Sequence, residues 1–141
     1  MRVCETTKSK YPNAFYRVAT KALIRNTAGE VLLSKERSKG WELPGGGLDH
    51  GESIHNALKR ELYEEALITA PFTEKLLVIE SIYVETKESW TLWLVYEIDI
   101  ADLEYGVGAD ADEVAFIDPN ALKDSEHVFE RLIYKLAQIG K

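Results

Sequence analysis

Three glutamates, Glu61, Glu64 and Glu65, fall at i, i+3 and i+4 within a run of helix-forming residues. That spacing sets all three carboxylates on one helical face. Like charges so placed repel one another and weaken an isolated helix. They are also the hard oxygen ligands that a divalent cation such as Mg²⁺ takes, with its remaining positions left to water and phosphate oxygens. The bland alternative is a solvated acidic face, and three acids alone do not exclude it. Their neighbours sharpen the pattern. Arg60 can grip Glu52 bidentately and tie the preceding loop to the helix. Gly45, Gly46 and Gly47 let backbone approach a metal or phosphate with no Cβ in the way.

The elements that must position this set follow from local patterns. Ser53 to about Leu67 has few strand formers and many helix formers and is expected to be helical, with Ser53 as N-cap. Phe15 to Arg25 and Val31 to Ser34 read as strands joined by the Asn26–Gly29 turn, a hairpin with a longer loop. The chain must change direction sharply across Trp41–Gly47. Leu76 to Tyr83 and Trp90 to Ile100 are further strands. The second is apolar on both faces and so central in a covered sheet. A loop with Gly106 and Gly108 follows, then a short strand at Val114–Ile117. Asp118-Pro119 starts a short helix. Val128 to Ile139 is amphipathic and helical, stopped by Gly140. Strands on both sides of one embedded helix predict an α/β fold, a mixed β-sheet sandwiched between α-helices.

Size and composition narrow the class. The 141 residues suit one domain, 1–141, able to bury a core without disulfides. Hydrophobic residues make up 45% and charged residues 29%, which excludes a disordered or low-complexity chain. No apolar run approaches a membrane span, and Met1–Lys10 lacks the apolar core of a signal peptide. The single Cys4 has no internal partner, so a soluble, cytoplasmic protein is expected. The net charge of −7 is uneven: residues 1–41 carry nine Lys or Arg against three acids. An acidic whole argues against a stable nucleic-acid complex. The basic front half suits a small anionic substrate steered by Arg17, Lys21, Arg25, Lys35, Arg37 or Lys39.

The joint pattern resembles the box of the Nudix hydrolases, of the MutT-like kind. Its form is G-x5-E-x7-R-E-U-x-E-E-x-G-U, where U is a bulky aliphatic residue. Gly46, Glu52, Arg60, Glu61, Leu62, Glu64, Glu65 and Ile68 fit, and Trp41–Gly46 resembles the usual lead-in. The order of elements is similar over nearly the whole chain. This resemblance implies a Nudix fold and Mg²⁺-dependent hydrolysis, with Mn²⁺ as an alternative, of a pyrophosphate bond in a nucleoside diphosphate-linked substrate such as a nucleoside triphosphate, a nucleotide sugar or ADP-ribose. It implies Glu61 and Glu65 as main metal ligands, Glu64 as a further ligand and the Gly46 carbonyl as a backbone ligand. Glu52 and Arg60 become the brace between loop and helix. Some relatives carry the general base on a loop before a late strand, and Asp110 is the candidate here, with Asp112 and Glu113 as neighbours. The resemblance also leaves room for a domain that binds or regulates without turnover.

One position departs. Leu67 stands where the family has the glycine that ends the helix, often in a left-handed conformation that a bulky residue resists by about 1–2 kcal/mol. Leu67 is therefore expected to change how the helix stops or to let it run into Ile68. Substrate signatures outside the box are not intact. Phe15, Tyr16, Trp90 and Trp93 offer rings on which a base could stack, although such strand residues are more often core. The histidines are too scattered for a shared metal. The terminal helix either packs on the sheet or forms a homodimer contact.

Overall fold

The computed structural model describes residues 15–37 and 39–141; Cys4 and the segment Met1–Lys10 lie outside them. Seven strands and two α-helices follow in the order β1 Arg17–Leu23, β2 Val31–Lys35, β3 Trp41–Glu42, β4 Gly45–Gly47, α1 Ile54–Ala66, β5 Phe72–Val84, β6 Ser89–Ile100, β7 Glu113–Ile117 and α2 Val128–Ala137. A 3-10 turn at Pro119–Leu122 starts on the Asp118 side chain, which accepts from the Asn120 N–H. The strands form two sheets, ordered β4-β1-β6-β5 and β3-β2-β7. The first is mixed: β1 runs parallel to β6 and antiparallel to β4. The expected α/β architecture is thus present, with the strands divided between two sheets.

That division corrects the hairpin reading of β1 and β2. The turn forms, with the Asn26 side chain accepting from the Ala28 and Glu30 N–H groups. Beyond it the two strands share only the Arg25–Val31 bridge and the bond from the Leu32 N–H to the Ile24 carbonyl. The reason lies in β1, whose edges are both taken, by β4 and β6. β2 must leave and pair with β3 and β7. The sharp change at Trp41–Gly47 is the crossing between the sheets. It ends on Gly45, whose φ is +143° and where a Cβ would stand 2.0 Å from the Thr20 carbonyl oxygen. Only glycine fits there.

β6 sits inside the first sheet, as its two apolar faces suggested. Alternation sends Trp93 and Val95 into a cluster with Ile133, Leu136 and Ala137 of α2. The terminal helix therefore packs on its own sheet. On the opposite face Ala22 packs with Leu58, Leu62 and Ala66 of α1. Several buried side chains of each helix, at about 1.5–3 kcal/mol for full burial of a large aliphatic one, anchor α1 and α2 on either side of the sheet. No helix among the described residues is long and apolar enough to cross a membrane.

Candidate active site

Helix α1 begins as its sequence dictates, with the Ser53 Oγ accepting from the Asn56 N–H at 3.2 Å. Its buried stripe of Ala57, Leu58, Leu62 and Ala66 fixes its rotation on the sheet, and that rotation turns Glu61 and Glu65 toward the glycine strand β4. The helix stops at Ala66, and Leu67 adopts the left-handed conformation, φ 54° and ψ 28°. The expectation that a bulky residue would alter or prolong the stop is therefore corrected. The Leu67 N–H bonds to the Tyr63 carbonyl and the Ile68 N–H to the Leu62 carbonyl, the bond pattern of a glycine-type helix end. Ile68 is 3% exposed. Burying it holds the turn closed against the strain at Leu67.

The carboxylates gather around β4. At Gly46 an added Cβ would stand 2.5 Å from Glu61 Oε1 and 3.0 Å from Oε2, so glycine leaves the room that this carboxylate fills. The Gly45 N–H donates to Glu65 Oε2 at 2.8 Å. Glu61 is 12% exposed at its side chain and Glu64 38%, so the three acids do not share one environment. Arg60 binds the set together. Its Nε and Nη2 donate to the two oxygens of Glu52 at 2.8 and 2.9 Å, a bidentate grip. Its Nη1 donates to Glu61 at 2.9 Å and reaches Glu64 at 3.4 Å, and Nη2 also meets the Gly47 carbonyl at 3.2 Å. Glu52 in turn accepts from the Asp49 N–H at 3.2 Å. The loop from Gly47 to Glu52 is thereby tied to the middle of α1.

Electrostatics separates these acids. The Arg60 bond holds Glu52 well below the usual carboxylate range, at about 2, and Glu52 in turn keeps the guanidinium proton on Arg60 more tightly than usual. Burial pushes Glu65 up to about 8, with the Lys21 charge and the Gly45 N–H only partly opposing it. Burial raises Glu61 as well, against the pull of Arg60. Two half-buried carboxylates short of positive charge are what a divalent cation would relieve. Thr20 adds to this, since its hydroxyl is fully buried beside Gly46 in the sheet and has no hydrogen-bond partner among the described residues. The oxygen-only donor set suits a hard divalent cation. As folded, no three His, Cys, Asp or Glu side chains among the described residues converge to metal-ligand geometry. Arg60 supplies the positive charge between Glu61 and Glu64 instead.

The remaining expected residues fall in different places. Asp110 is exposed; its N–H bonds to the Glu64 carbonyl at 3.0 Å, which sets it at the end of α1 beside the acids. Asp112 instead accepts from the Arg37 N–H. The steering cations disperse. Arg17 lies against Gly47, while Arg25 is committed to Glu97 and to the Ala137 and Ile139 carbonyls. Lys35 covers the Trp41 ring and Lys39 pairs with Glu36. Lys21 is 6% exposed, 5.0 Å from the Trp93 ring centroid. Its role as a buried counter-charge to Glu65 was missed, and the alternation Ala19-x-Lys21-x-Leu23 on the inner face of β1 was the signal. Of the candidate stacking residues, Trp93 is core, packed on Phe129, whereas Phe15, Tyr16 and Trp90 are exposed. His55 bonds to Glu74 at 2.7 Å. The two main surface clefts, of about 470 and 290 Å³, are lined by neither Gly46 nor the three glutamates.

Comparison with known proteins places the chain in a family. A family profile described as NUDIX domain matches residues 15–136. An RNA pyrophosphohydrolase of Actinobacillus pleuropneumoniae serotype 5b (strain L20) is 44% identical over 55 residues, 38% of this chain and 27% of that protein. Nudix hydrolase 5 of Arabidopsis thaliana is 32% identical over 98 residues, 65% of this chain and 32% of the relative. The chain thus spans about a third or less of the length of these two relatives. Among solved structures, the MutT protein from Methanosarcina mazei Go1 superposes with a TM-score of 0.72 at 21% identity, covering 93% of this chain and 96% of that one. The NUDIX domain of Shewanella oneidensis NrtR complexed with ADP ribose gives 0.69 at 17% identity, with 92% of each chain covered. At these identities the superpositions speak for the fold, and the profile, covering most of the described residues, settles the family: the chain belongs to the Nudix family.

Proposed function

We propose that this protein is a divalent-metal-dependent hydrolase of the pyrophosphate linkage in nucleotide derivatives. The observation that carries the reading is the pair Glu61–Glu65. Both are raised by burial and both close on β4 at residues that admit no side chain. In the reading Glu61 and Glu65 hold Mg²⁺, or Mn²⁺, with Glu64 and the Gly46 carbonyl adding ligands. When bound, the metal would polarise the phosphate and lower the pKa of the attacking water. Arg60 and Glu52 hold the Gly46–Glu52 loop against α1. In this reading Asp110, on an exposed loop bonded through its N–H to the Glu64 carbonyl, serves as the general base that takes the proton from water.

A nucleotide, rather than inorganic polyphosphate, is favoured by the sheet face beside the site. Alternation along β6 puts Trp90, Leu92 and Leu94 on the same face as Tyr96, which packs toward α1. Trp90 and Tyr83 are 48% and 47% exposed, their rings 5.5 Å apart. Thr20 and its partner Gly46 pair into the same sheet row as Leu94. Exposed aromatic rings on a face that continues to the metal ligands suit stacking of a base.

Release of the cleavage products, a nucleoside monophosphate, a second phosphomonoester or pyrophosphate, tests the reading, measured with and without Mg²⁺ or Mn²⁺ on nucleoside triphosphates, ADP-ribose, NADH, dinucleoside polyphosphates, coenzyme A and 5′-triphosphate RNA. The last is included because relatives are named RNA pyrophosphohydrolases. Metal-dependent release from at least one is expected, and none from any would overturn the proposal. The likeness to a NUDIX domain complexed with ADP ribose favours one second reading, a binding domain without turnover. It predicts a thermal shift with ADP-ribose and no hydrolysis.

A further inference from the structure

We propose that the loop between β6 and β7, with Gly108 at its centre, positions the carboxylates of the metal site by docking on the end of α1. The inference rests on the reading of that site given above. The docking is specific. The N–H groups of Gly106, Gly108 and Asp110 donate to the carbonyls of Ala66, Glu65 and Glu64 at 2.8, 2.8 and 3.0 Å. As the loop advances by two residues the helix retreats by one. Together with the bonds from Leu67 and Ile68, five successive carbonyls from Leu62 to Ala66 have donors.

The need for this arrangement is electrostatic. A helix ends in unpaired carbonyls that carry partial negative charge, and cations in the last turn ordinarily offset it. Helix α1 has no basic residue in its last turn and instead carries Glu64 and Glu65 there, with Glu61 in the turn before. Three N–H dipoles from the loop take the place of the missing cation.

Gly108 sets how close the loop comes. A Cβ there would stand 2.2 Å from the Glu64 carbonyl oxygen, 2.7 Å from its carbon and 2.8 Å from the carbonyl carbon of Glu65. All three atoms are backbone, so no side chain can swing aside. Gly108 is buried and is not among the glycines with positive φ, so proximity, not backbone conformation, demands glycine. The peptide groups it touches belong to two of the three acids. Gly106 differs: its Cβ would meet only the end of the Leu67 side chain, at 3.3 Å. Gly108 is therefore a positioning residue, and the loop and the metal site are coupled.

The test uses MgCl₂ alone as the probe and compares Gly108→Ala with Gly106→Ala. Thermal unfolding across a MgCl₂ titration yields a half-saturating concentration. In Gly108→Ala it should rise about tenfold or more, the size of effect found when groups supporting metal ligands are disturbed. In Gly106→Ala it should not move. The unsubstituted protein provides a second measurement that does not depend on a variant folding. Added MgCl₂ should slow amide exchange at Gly106, Gly108 and Asp110 more than at Gly29 in the remote Asn26–Gly29 turn. The inference is overturned if Mg²⁺ stabilises the unsubstituted protein while Gly108→Ala lowers Tm equally with and without it at an unchanged half-saturating concentration. It is equally overturned if those three amides ignore Mg²⁺. If Mg²⁺ stabilises nothing, the site reading falls and this inference with it.

Discussion

Two glutamates withdrawn from solvent sit on the two helices, and their surroundings are opposite. Glu130 of α2 is 7% exposed. One of its oxygens accepts from the Trp41 N–H at 2.9 Å and the other from the Ser125 hydroxyl. Burial works against its charge, but these bonds and nearby His127 and Lys35 outweigh it, and the carboxyl is held below its ordinary value. Glu65 of α1 has one N–H donor and the pull of Lys21, and burial outweighs both. Glu130 fastens the start of α2 to β3 and needs nothing more. Glu65 is left short of positive charge beside β4. A carboxylate served by neutral donors is part of the scaffold; one kept waiting for a cation marks a site.

Exchanging the two residues' fates would break this contrast. Glu65→Gln should lower turnover on the best nucleotide by about three orders of magnitude, since it removes charge from the ligand set. Metal-free Tm should hold or rise, because the neutral amide avoids the burial cost that raises the Glu65 carboxyl. Glu130→Ala should do the reverse. Turnover should persist while stability falls by about 2–3 kcal/mol, with the Trp41 N–H and Ser125 hydroxyl left unpaired. Steady-state kinetics and thermal denaturation on both variants decide the matter. Wild-type turnover in Glu65→Gln would remove it from the ligand set.

Arg60→Ala should cost about 10–100-fold in activity, as loss of a supporting partner does. Tm should move little, because ion pairs with this much exposure contribute little to folding. Full activity with unchanged Tm would take Arg60 out of the mechanism.

The pH response sharpens the contrast further. Glu65 has a folded-state pKa above its unfolded value, so the folded protein holds a proton that the unfolded chain releases. Its contribution is complete below about pH 4.5 and is lost as pH rises through about 8. Glu130 has the opposite sign: its contribution is present above about pH 4.5 and is lost as pH falls through its lowered value. Metal-free denaturation between pH 4.5 and 8 should therefore show a downward slope, to which the raised Glu61 also contributes, and Glu65→Gln should reduce it. The smallest effect belongs to Leu67→Gly, which should raise stability by about 0.5–1 kcal/mol, the left-handed strain less the greater freedom of glycine in the unfolded chain. A fall in Tm would show that Leu67 packing outweighs the strain.

The sequence was most legible where one local rule sufficed. Ser53 as cap, the spacing of Glu61, Glu64 and Glu65, and Arg60 opposite Glu52 are consequences of helical geometry, and each lies where that geometry puts it. What could not be read depended on distant chain. The pairing of both β1 edges, which expels β2 into a second sheet, is invisible in a turn signal at Asn26–Gly29. Leu67 read as an obstacle because the bonds that hold its backbone, and the loop docked beside it, come from tertiary structure. Lys21 was counted as a steering cation because composition does not say which face of a strand a lysine takes.

The parallel pairing of β1 with β6 has a consequence for the order of assembly. It joins Arg17 to Thr91 and Leu23 to Glu97, with the whole of α1 and β5 between them. β4 hangs from the other edge of β1. During synthesis the helix bearing the acids leaves the ribosome well before its platform is complete. Because such long-range pairings form slowly, refolding should show α1 helicity early and Mg²⁺ responsiveness late, only once β6 has closed against β1.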